Sequence, residues 1–297
     1  QEQDIQVDAI NFRSLFCTCT PESSSCSAAK TAVKQLGVSL RTVNTSQELV
    51  ELVKDPAHGY GSEVNPCLDC RIMMFRQARE YMDEIGARFL VTGEVLGERP
   101  MSQRREAFRK MEESAGVRGL VLRPLCARHL PPTKPEREGL VDREKLLDLD
   151  GRTRKPQMSL AEEWGIEDYP APAGGCRLTD PNYAERIEAL MDMDRLTLAN
   201  AHLVQHGRFF QLESGAFCVV GREHEDNVNI LRTAPDEAAL YDLRDLPGPL
   251  AALVGPATEA NVAEVRRLVL RYSRFEDAKP DRVARKQPAD VWKQWQD

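Results

Sequence analysis

The sequence predicts an α/β fold with a parallel sheet, followed by a smaller α+β domain. Over residues 7–123, apolar segments of strand length alternate with segments whose apolar spacing is helical. Strands that alternate with helices are typical of βαβ units and parallel sheets. The pattern changes near Met191, and 297 residues with 41% hydrophobic side chains suffice for two ordinary domains. We therefore expect a first domain at residues 1–190 and a second at residues 191–297.

Each element of the first domain follows from a local pattern. Gly37 is typical of the position just after a helix, Thr45 and Glu48 form a capping box, and Asn65-Pro66 places an N-cap before a proline. With the apolar spacing, these residues predict strands at Val7–Phe12, Val38–Val43, Phe89–Gly93 and Gly119–Arg123. They also predict helices at Ser24–Leu36, Thr45–Val53, Cys67–Ile85, Gln103–Ser114 and Ser159–Trp164, and a helix that begins near Pro181. We expect Leu130–Pro156 to be irregular, because it is rich in proline and basic residues.

The second domain begins with a predicted hairpin. Phe209–Leu212 and Ala216–Val220 have the composition of paired strands, and Ser214-Gly215 supplies the turn between them. Glu259–Tyr272 has the apolar spacing of a strongly amphipathic helix. A hairpin combined with such a helix is typical of an α+β domain.

The formal net charge of −7 argues against a general nucleic-acid binder, but the charge is unevenly distributed. From Arg99 to Gln157 there are 15 Lys and Arg against 9 Asp and Glu, and Arg outnumbers Lys. Because Arg is well suited to bidentate phosphate contacts, this window indicates a face for an anionic partner, although a charge run is more often a solvated surface. The candidate contacts are Arg99, Arg104, Arg105, Arg152, Arg154 and Lys155.

The composition also bears on the compartment. No run of 18 apolar residues occurs, so we expect no transmembrane helix and no membrane partner. Eight cysteines in 297 residues are too dilute for a disulfide scaffold. A reducing, cytoplasmic setting, in which some thiols serve a metal or redox chemistry, fits this composition better.

Cys67 and Cys70 form a CxxC motif at the predicted start of a helix. Residues three apart lie on one helix face, and a helix N-terminus stabilises thiolates. We therefore expect both sulfurs to have a low pKa and to converge on one metal or one substrate atom. A lone CxxC motif is compatible with a zinc half-site, a redox pair or chance.

Cys176 follows Gly174-Gly175 and lies 106 residues after Cys70, so only the fold can bring it to the pair. Three cysteines on loops and helix ends suit an iron–sulfur cluster with one open iron, or three ligands of a zinc site. A buried, inert thiol at Cys176 is the alternative. Cys126 and Cys218 lie in apolar strand or strand-end contexts that favour inert thiols. Cys17, Cys19 and Cys26 cluster after the first strand; another metal site and small residues of a loop are both open for them, and they receive no assignment.

Five blocks of sequence, in order, resemble a known family. They are Asn65–Cys70, Val91–Gln103, Leu122–Leu125, Gly151–Lys155 and Pro172–Asp180. Together they resemble the PP-loop ATP pyrophosphatases, or adenine nucleotide α hydrolases, that thiolate tRNA, and in particular the 4-thiouridine-synthase-type domain. The resemblance covers about Val7 to Arg186. The remainder of the chain more weakly resembles the small RNA-binding domain of NFACT-type proteins.

The resemblance implies a Rossmann-like, HUP-type nucleotide-binding domain with tRNA sulfurtransferase activity. ATP (with Mg) would adenylate the C2 or C4 oxygen of a tRNA uridine, and sulfur from a persulfide carrier or sulfide would displace AMP. Cys67, Cys70 and Cys176 would be the catalytic nucleophiles, or the ligands of a 4Fe-4S cluster or zinc. The nucleotide would lie along Phe12, Thr92, Gly93, Glu94, Gln103 and Arg123, and the basic residues named above would contact ATP or tRNA.

One departure from the family pattern is serious. The Ser-Gly-Gly-x-Asp-Ser loop that holds pyrophosphate is absent. A βαβ unit takes about 30 residues, and Gln1–Ile5 resembles only the tail of its helix, so we expect further chain upstream and poor ATP binding without it. The alternative is a non-catalytic RNA- or nucleotide-binding protein, and a third hypothesis keeps adenylation but with a small molecule or sulfur carrier as acceptor. The uridine, the tRNA, the sulfur donor and the oligomeric state, including a homodimer, stay open.

Overall fold

The structure is a computed structural model, and it describes residues 3–18, 25–166, 175–244, 246–275, 277 and 279–286. The chain divides into two compact units, Gln1–Thr179 and Asp180–Asp297. The division precedes the expected boundary at residue 190 because the helix after Asp180 belongs to the second unit. The Tyr183 hydroxyl donates to the Ala201 carbonyl at 2.7 Å, and the Arg186 guanidinium donates to the Val204 carbonyl at 2.7 Å.

The first unit contains two small parallel sheets. Strand β1 (Asp8–Arg13) pairs in parallel with β2 (Ser39–Asn44), and β3 (Leu90–Val91) pairs in parallel with β4 (Val121–Leu122). The predicted strands and their parallel direction are confirmed, although β3 and β4 span only two residues each. In the described part of the unit the two pairs are separate sheets. The fold is thus mixed α/β with small parallel sheets, and a HUP-type domain stays a prediction.

The helices of the first unit follow the predicted order. They are α1 (Ser25–Leu36), α2 (Ser46–Lys54), α3 (Cys67–Glu84), α4 (Arg105–Ser114), α5 (Lys134–Arg137) and α6 (Lys155–Glu163). Two of them correct the expected irregularity of residues 130–156. Helix α5 forms because the Glu136 carboxylate accepts from the Thr133 backbone N–H at 2.7 Å. Helix α6 begins four residues before the predicted Ser159, since Pro156 is compatible with a first helical turn.

The helix ends lie close to their predicted positions, but some of the residues that cap them differ from those predicted. Gly37 ends α1 with φ +63°, a conformation that favours glycine, as predicted. Thr45 does not cap α2 through its side chain, so the predicted capping box is wrong. Instead, Asn44 Oδ1 accepts from the Ser46 N–H at 3.0 Å. Helix α3 begins at Cys67 as predicted, but Pro66 rather than Asn65 occupies its N-cap position.

The second unit is a five-stranded antiparallel sheet with helices, in the strand order β5-β6-β8-β7-β9. The predicted hairpin at Ser214-Gly215, which joins β5 to β6, and the predicted helix near residue 259 are present. The bounds are α7 (Pro181–Asp192), α8 (Leu198–Leu203), β5 (Arg208–Gln211), β6 (Phe217–Val220), α9 (His224–Thr233), β7 (Ala239–Leu243), β8 (Ala251–Val254), α10 (Glu259–Arg271) and β9 (Val283–Lys286). Short 3₁₀ helices lie at Ala127–His129, Arg143–Lys145 and Arg177–Thr179 in the first unit, and at Glu213–Gly215 and Pro280–Arg282 in the second.

The core of the second unit lies between α10 and the sheet. Val265, Leu268 and Val269 of α10 pack against a cluster that includes Cys218 and Leu253. Every residue of the three central strands is buried, so both faces of the sheet are covered. Helix α9 contacts β8 and α8, whereas its buried residues are not part of the α10 cluster. Helices α10 and α9 therefore cover opposite faces. Throughout the residues that the structure describes, no helix is both long and apolar enough to cross a membrane.

Candidate functional site

A group of cysteines comes together in the first unit. Cys67 is the first residue of α3, and Cys70 follows one turn later, with its N–H bonded to the Pro66 carbonyl at 2.8 Å. Cys176 forms an isolated antiparallel β-bridge with Cys17, a residue left without assignment by the sequence. We call Cys17, Cys67, Cys70 and Cys176 the thiol cluster. All four side chains are partly exposed, whereas Cys126 and Cys218 are fully buried free thiols, consistent with the inert role expected for them.

The four thiols of the thiol cluster lie close enough to influence one another's pKa values. Burial raises the pKa of the Cys70 thiol to about 12, and the thiols of Cys176, Cys67 and Cys17 add to this rise while Arg71 opposes it. Burial likewise raises the pKa of Cys176 to about 11, with further contributions from Cys17 and Cys67. The expected low pKa is therefore wrong for Cys70, because desolvation of a thiolate outweighs the helix N-terminus and the nearby arginine.

A hydrogen-bonded pair, His58 and Asp69, anchors the loop that precedes the CxxC motif. Asp69, between Cys67 and Cys70, accepts from the His58 backbone N–H at 2.9 Å and lies 2.6 Å from its Nδ1. Asp69 is only 6% exposed. These bonds hold residues 56–61 against the first turn of α3 and so position both cysteines.

Among the described residues, no three or more His, Cys, Asp or Glu side chains are arranged to hold a metal ion. The Ala173-Gly174 part of the loop before Cys176 lies outside the described residues, as does Cys19. The fold therefore brings Cys67, Cys70 and Cys176 into one neighbourhood, and the assignment of iron–sulfur or zinc to them stays a prediction.

The carboxyl ends of β3 and β4 meet, as expected for neighbouring parallel strands. The Thr92 N–H donates to the Leu122 carbonyl at 3.0 Å. Immediately beyond, Arg123 Nε lies 3.0 Å from Glu94 Oε2, and both side chains are only 2% exposed. Arg123 also contacts Glu112 at 2.5 Å and lies 3.8 Å over the Phe108 ring. These contacts occupy Arg123 structurally, so its contact with a nucleotide stays a prediction.

Several polar atoms near these strand ends lack hydrogen-bond partners. The Ser102 hydroxyl, Gln103 Oε1 and Arg123 Nη2 are buried and unpaired. Buried polar atoms without partners in a native structure call for an explanation, and a bound polar ligand is one. Gly93 is exposed, with open space where a Cβ would stand. Phe12, by contrast, lies in the other parallel sheet, opposite Val43.

The predicted phosphate contacts fall into two places. The bridge between Leu96 and Asp150, with the Gly151 N–H bonded to the Leu96 carbonyl at 2.8 Å, sets the loop of Arg99 beside that of Arg152. Arg154 and Lys155 follow at the start of α6. Arg104 and Arg105 begin α4, and Arg105 lines a cavity of about 710 Å³ together with Arg109, Arg118, Arg123 and Arg137.

A second basic surface lies in the second unit and was not predicted. Residues 266–286, from the C-terminal half of α10 to β9, contain eight Lys and Arg against three Asp and Glu. By contrast, residues 207–265 contain four Lys and Arg against ten Asp and Glu. Arg266, Arg267 and Arg271 line a cavity of about 570 Å³ with Pro280. We call residues 266–286 the basic face; a charge count in shorter windows could have found it.

Comparison with known proteins finds a family match within the second unit. Residues 207–296 match the family described as NFACT protein RNA binding domain, so the chain contains an RNA-binding domain. No curated protein sequence matches the chain. Among solved structures, the C-terminal part of the fibronectin/fibrinogen-binding protein from Streptococcus suis is similar to this chain at 12% sequence identity. The match covers 78% of this chain and 80% of the Streptococcus suis chain. Its TM-score of 0.23 is too low to support an argument about fold or function.

Proposed function

We propose that this protein binds RNA and that the basic face, residues 266–286, is the contact surface of its RNA-binding domain. The observation that supports this proposal is the separation of charge within the matched residues. The basic face has an excess of five positive charges, while residues 207–265 have an excess of six negative charges. RNA phosphates are attracted to the first region and repelled by the second, so the charge separation favours one orientation on RNA.

The basic face combines a rigid base with accessible cations. Val265, Leu268 and Val269 fix α10 on the sheet. Arg267 and Arg271 are exposed on this anchored helix, and Arg285 is exposed on β9, an edge strand of the sheet. Arg267 pairs with Glu264 at 2.7 Å, but exposed pairs of this kind are weak, about 0–1 kcal/mol. A phosphate can therefore replace Glu264 as the partner of Arg267.

Charge reversal tests the proposal. We expect Arg267→Glu with Arg271→Glu to weaken binding of a fluorescein-labelled tRNA at least tenfold in fluorescence anisotropy titrations. The matched control is Arg232→Glu, an exposed arginine on α9, which covers the opposite face of the sheet. Circular dichroism and the thermal transition of each variant check that folding is preserved. Equal loss of affinity in the control, or none in the double variant, would show that RNA binds elsewhere.

ATP-dependent tRNA uridine thiolation is a second candidate function, and the thiol cluster favours it. Cys176 lies near Cys67 and Cys70 although 106 residues separate it from the CxxC motif. Bound ATP would supply the adenylyl group that turns a uridine oxygen into a leaving group. Gln103 and Ser102 would satisfy their unpaired oxygens on the nucleotide, and Cys67, Cys70 and Cys176 would hold or deliver the sulfur. RNA binding by the second unit would supply the tRNA.

The two candidate functions differ in a measurable product. Thiolation requires AMP release that depends on tRNA, and thiouridine in tRNA digests analysed by liquid chromatography and mass spectrometry. Simple RNA binding gives neither. The test uses the full chain, with Cys176→Ser as the variant and Cys218→Ser, a fully buried thiol of the second unit, as the control. Metal and labile sulfide analysis of anaerobically purified protein then distinguishes an iron–sulfur cluster from zinc.

A further inference from the structure

Cys17 and Cys176 face each other across a short antiparallel contact. The Arg177 N–H donates to the Phe16 carbonyl at 2.7 Å, and the Thr18 N–H donates to the Gly175 carbonyl at 3.1 Å. These two bonds flank the cysteine pair instead of joining it, so Cys17 and Cys176 occupy a non-hydrogen-bonded position of the ladder. At such positions the Cα atoms are about 4.5 Å apart and the side chains stand on the same face.

This spacing falls within the range that a disulfide requires, with Cα atoms about 4.4–6.8 Å apart. The two segments approach closely, since a Cβ on Gly175 would lie 3.1 Å from the Thr18 side chain. The sulfur of Cys17 is positioned by Ser14, whose N–H donates to it at 3.4 Å and whose hydroxyl lies 3.5 Å away. Both cysteines are partly exposed, so a small reactant can reach them.

We propose that Cys17 and Cys176 form a redox-active dithiol site whose substrates are low-molecular-weight disulfides of the glutathione type. The thiolate of one cysteine attacks a sulfur of the small disulfide, whose S–S bond breaks and releases one small thiol. The second cysteine then attacks the protein sulfur of this mixed disulfide and releases the second small thiol. The two protein thiols lose two electrons and two protons, and the small disulfide gains both.

The disulfide has a structural consequence for the thiol cluster. It joins residues 159 positions apart and removes Cys176 from the thiols available to Cys67 and Cys70. The inference does not depend on RNA binding, because the pair lies in the first unit and the RNA-binding domain in the second. Loss of the basic face therefore leaves it untouched.

Thiol trapping and peptide mapping test the dithiol site in the full chain. The protein is equilibrated with defined ratios of oxidised to reduced glutathione, quenched in acid, alkylated and digested with trypsin. Cys17 lies in the tryptic peptide 14–30 and Cys176 in the peptide 155–177, whereas Cys67 and Cys70 share the peptide 55–71. We expect a linked peptide 14–30/155–177, with fragment ions that place the bond on Cys17 and not on Cys19 or Cys26.

Cysteine-to-serine variants show which two cysteines form the link. Cys17→Ser and Cys176→Ser should each abolish the linked peptide and leave the remaining cysteine as a stable glutathione adduct. Cys67→Ser, the matched control in the same cluster, should retain the link. A map in which peptide 14–30 is linked through Cys19 or Cys26, or in which a disulfide within peptide 55–71 forms while Cys17 and Cys176 stay unlinked, would overturn the proposal. A wild-type protein that stays fully reduced in excess oxidised glutathione would overturn it as well. The wild-type map decides the question even where a variant fails to fold.

Discussion

Glu94 and Arg123 form a buried ion pair at the carboxyl ends of two parallel strands. Arg123 Nε lies 3.0 Å from Glu94 Oε2, and neither side chain is more than 2% exposed. Glu112 contacts Arg123 at 2.5 Å, and the Phe108 ring lies under the guanidinium. The pair thus joins the residues after β3 to those after β4 and α4, in the region where the sequence predicts a nucleotide.

Removal of one partner of this pair should destabilise the first unit strongly. Arg123→Met leaves the Glu94 carboxylate buried without its main partner, which costs about 3–5 kcal/mol in comparable cases. Arg79→Met is the control, since Arg79 pairs with Asp83 on an exposed helix face, and we expect a change below about 1 kcal/mol. Urea unfolding followed by circular dichroism measures both. Equal stability of the two variants would contradict the assignment of Arg123 as a structural residue.

Gly221 in the second unit should not tolerate a methyl group. A Cβ at this position would overlap Asn227 Oδ1, which accepts from the Leu250 N–H at 2.9 Å. Gly221→Ala would therefore displace Asn227 from that bond and from the Gly248 carbonyl. We expect a loss of about 1–3 kcal/mol, seen as a lower thermal transition. Gly93→Ala, at an exposed glycine with open space around it, should leave the transition unchanged.

Alkylation of the thiol cluster should depend steeply on pH. Because burial raises the pKa of Cys70 to about 12 and that of Cys176 to about 11, both are thiols at neutral pH. The thiolate is the nucleophile, so their iodoacetamide rates should rise about tenfold per pH unit from pH 7 to 10. Peptide mass spectrometry after timed quenching measures each rate. A plateau below pH 9 for either residue would contradict the burial argument.

The same shifts make the first unit less stable in alkali. Both folded pKa values exceed the unfolded value of about 8.5, so the folded state holds these protons more tightly. The resulting stability is fully present below pH about 8.5 and is lost as pH rises toward 11 and 12. Thermal transitions of wild-type protein should fall between pH 8.5 and 10.5. A Cys70→Ala, Cys176→Ala double variant should fall less over this interval.

Binding to RNA should weaken with salt in proportion to the phosphate contacts of the basic face. For single-stranded RNA, the slope of log K against log salt is about −0.7 per neutralised phosphate. We expect Arg267→Ala and Arg285→Ala each to reduce the magnitude of this slope by about 0.7. Anisotropy titrations at several potassium chloride concentrations, from about 50 to about 300 mM, provide the slopes. Weaker binding with an unchanged slope would exclude a direct phosphate contact for the residue concerned.

Local sequence patterns determined the positions of many helices and strands of this protein. Gly37, the proline before Cys67 and the apolar spacing of residues 7–123 placed four parallel strands and most helices of the first unit. Such signals are local because helix ends depend on backbone groups within one turn. Strands β7 and β8 were not predicted, since short strands buried on both faces show no alternation of polar and apolar residues. Strand β9 was not predicted either, and Val283 is the one buried residue among its four.

Only the tertiary structure decided which distant side chains meet. Cys17 faces Cys176, and Glu94 pairs with Arg123, through strand contacts that no sequence spacing encodes. The pKa of Cys70 rises instead of falling because burial by the assembled unit outweighs the opposing effect of its sequence neighbour Arg71. Local patterns therefore specified the elements, whereas desolvation and long-range pairing, which exist only after packing, specified the chemistry of the thiol cluster.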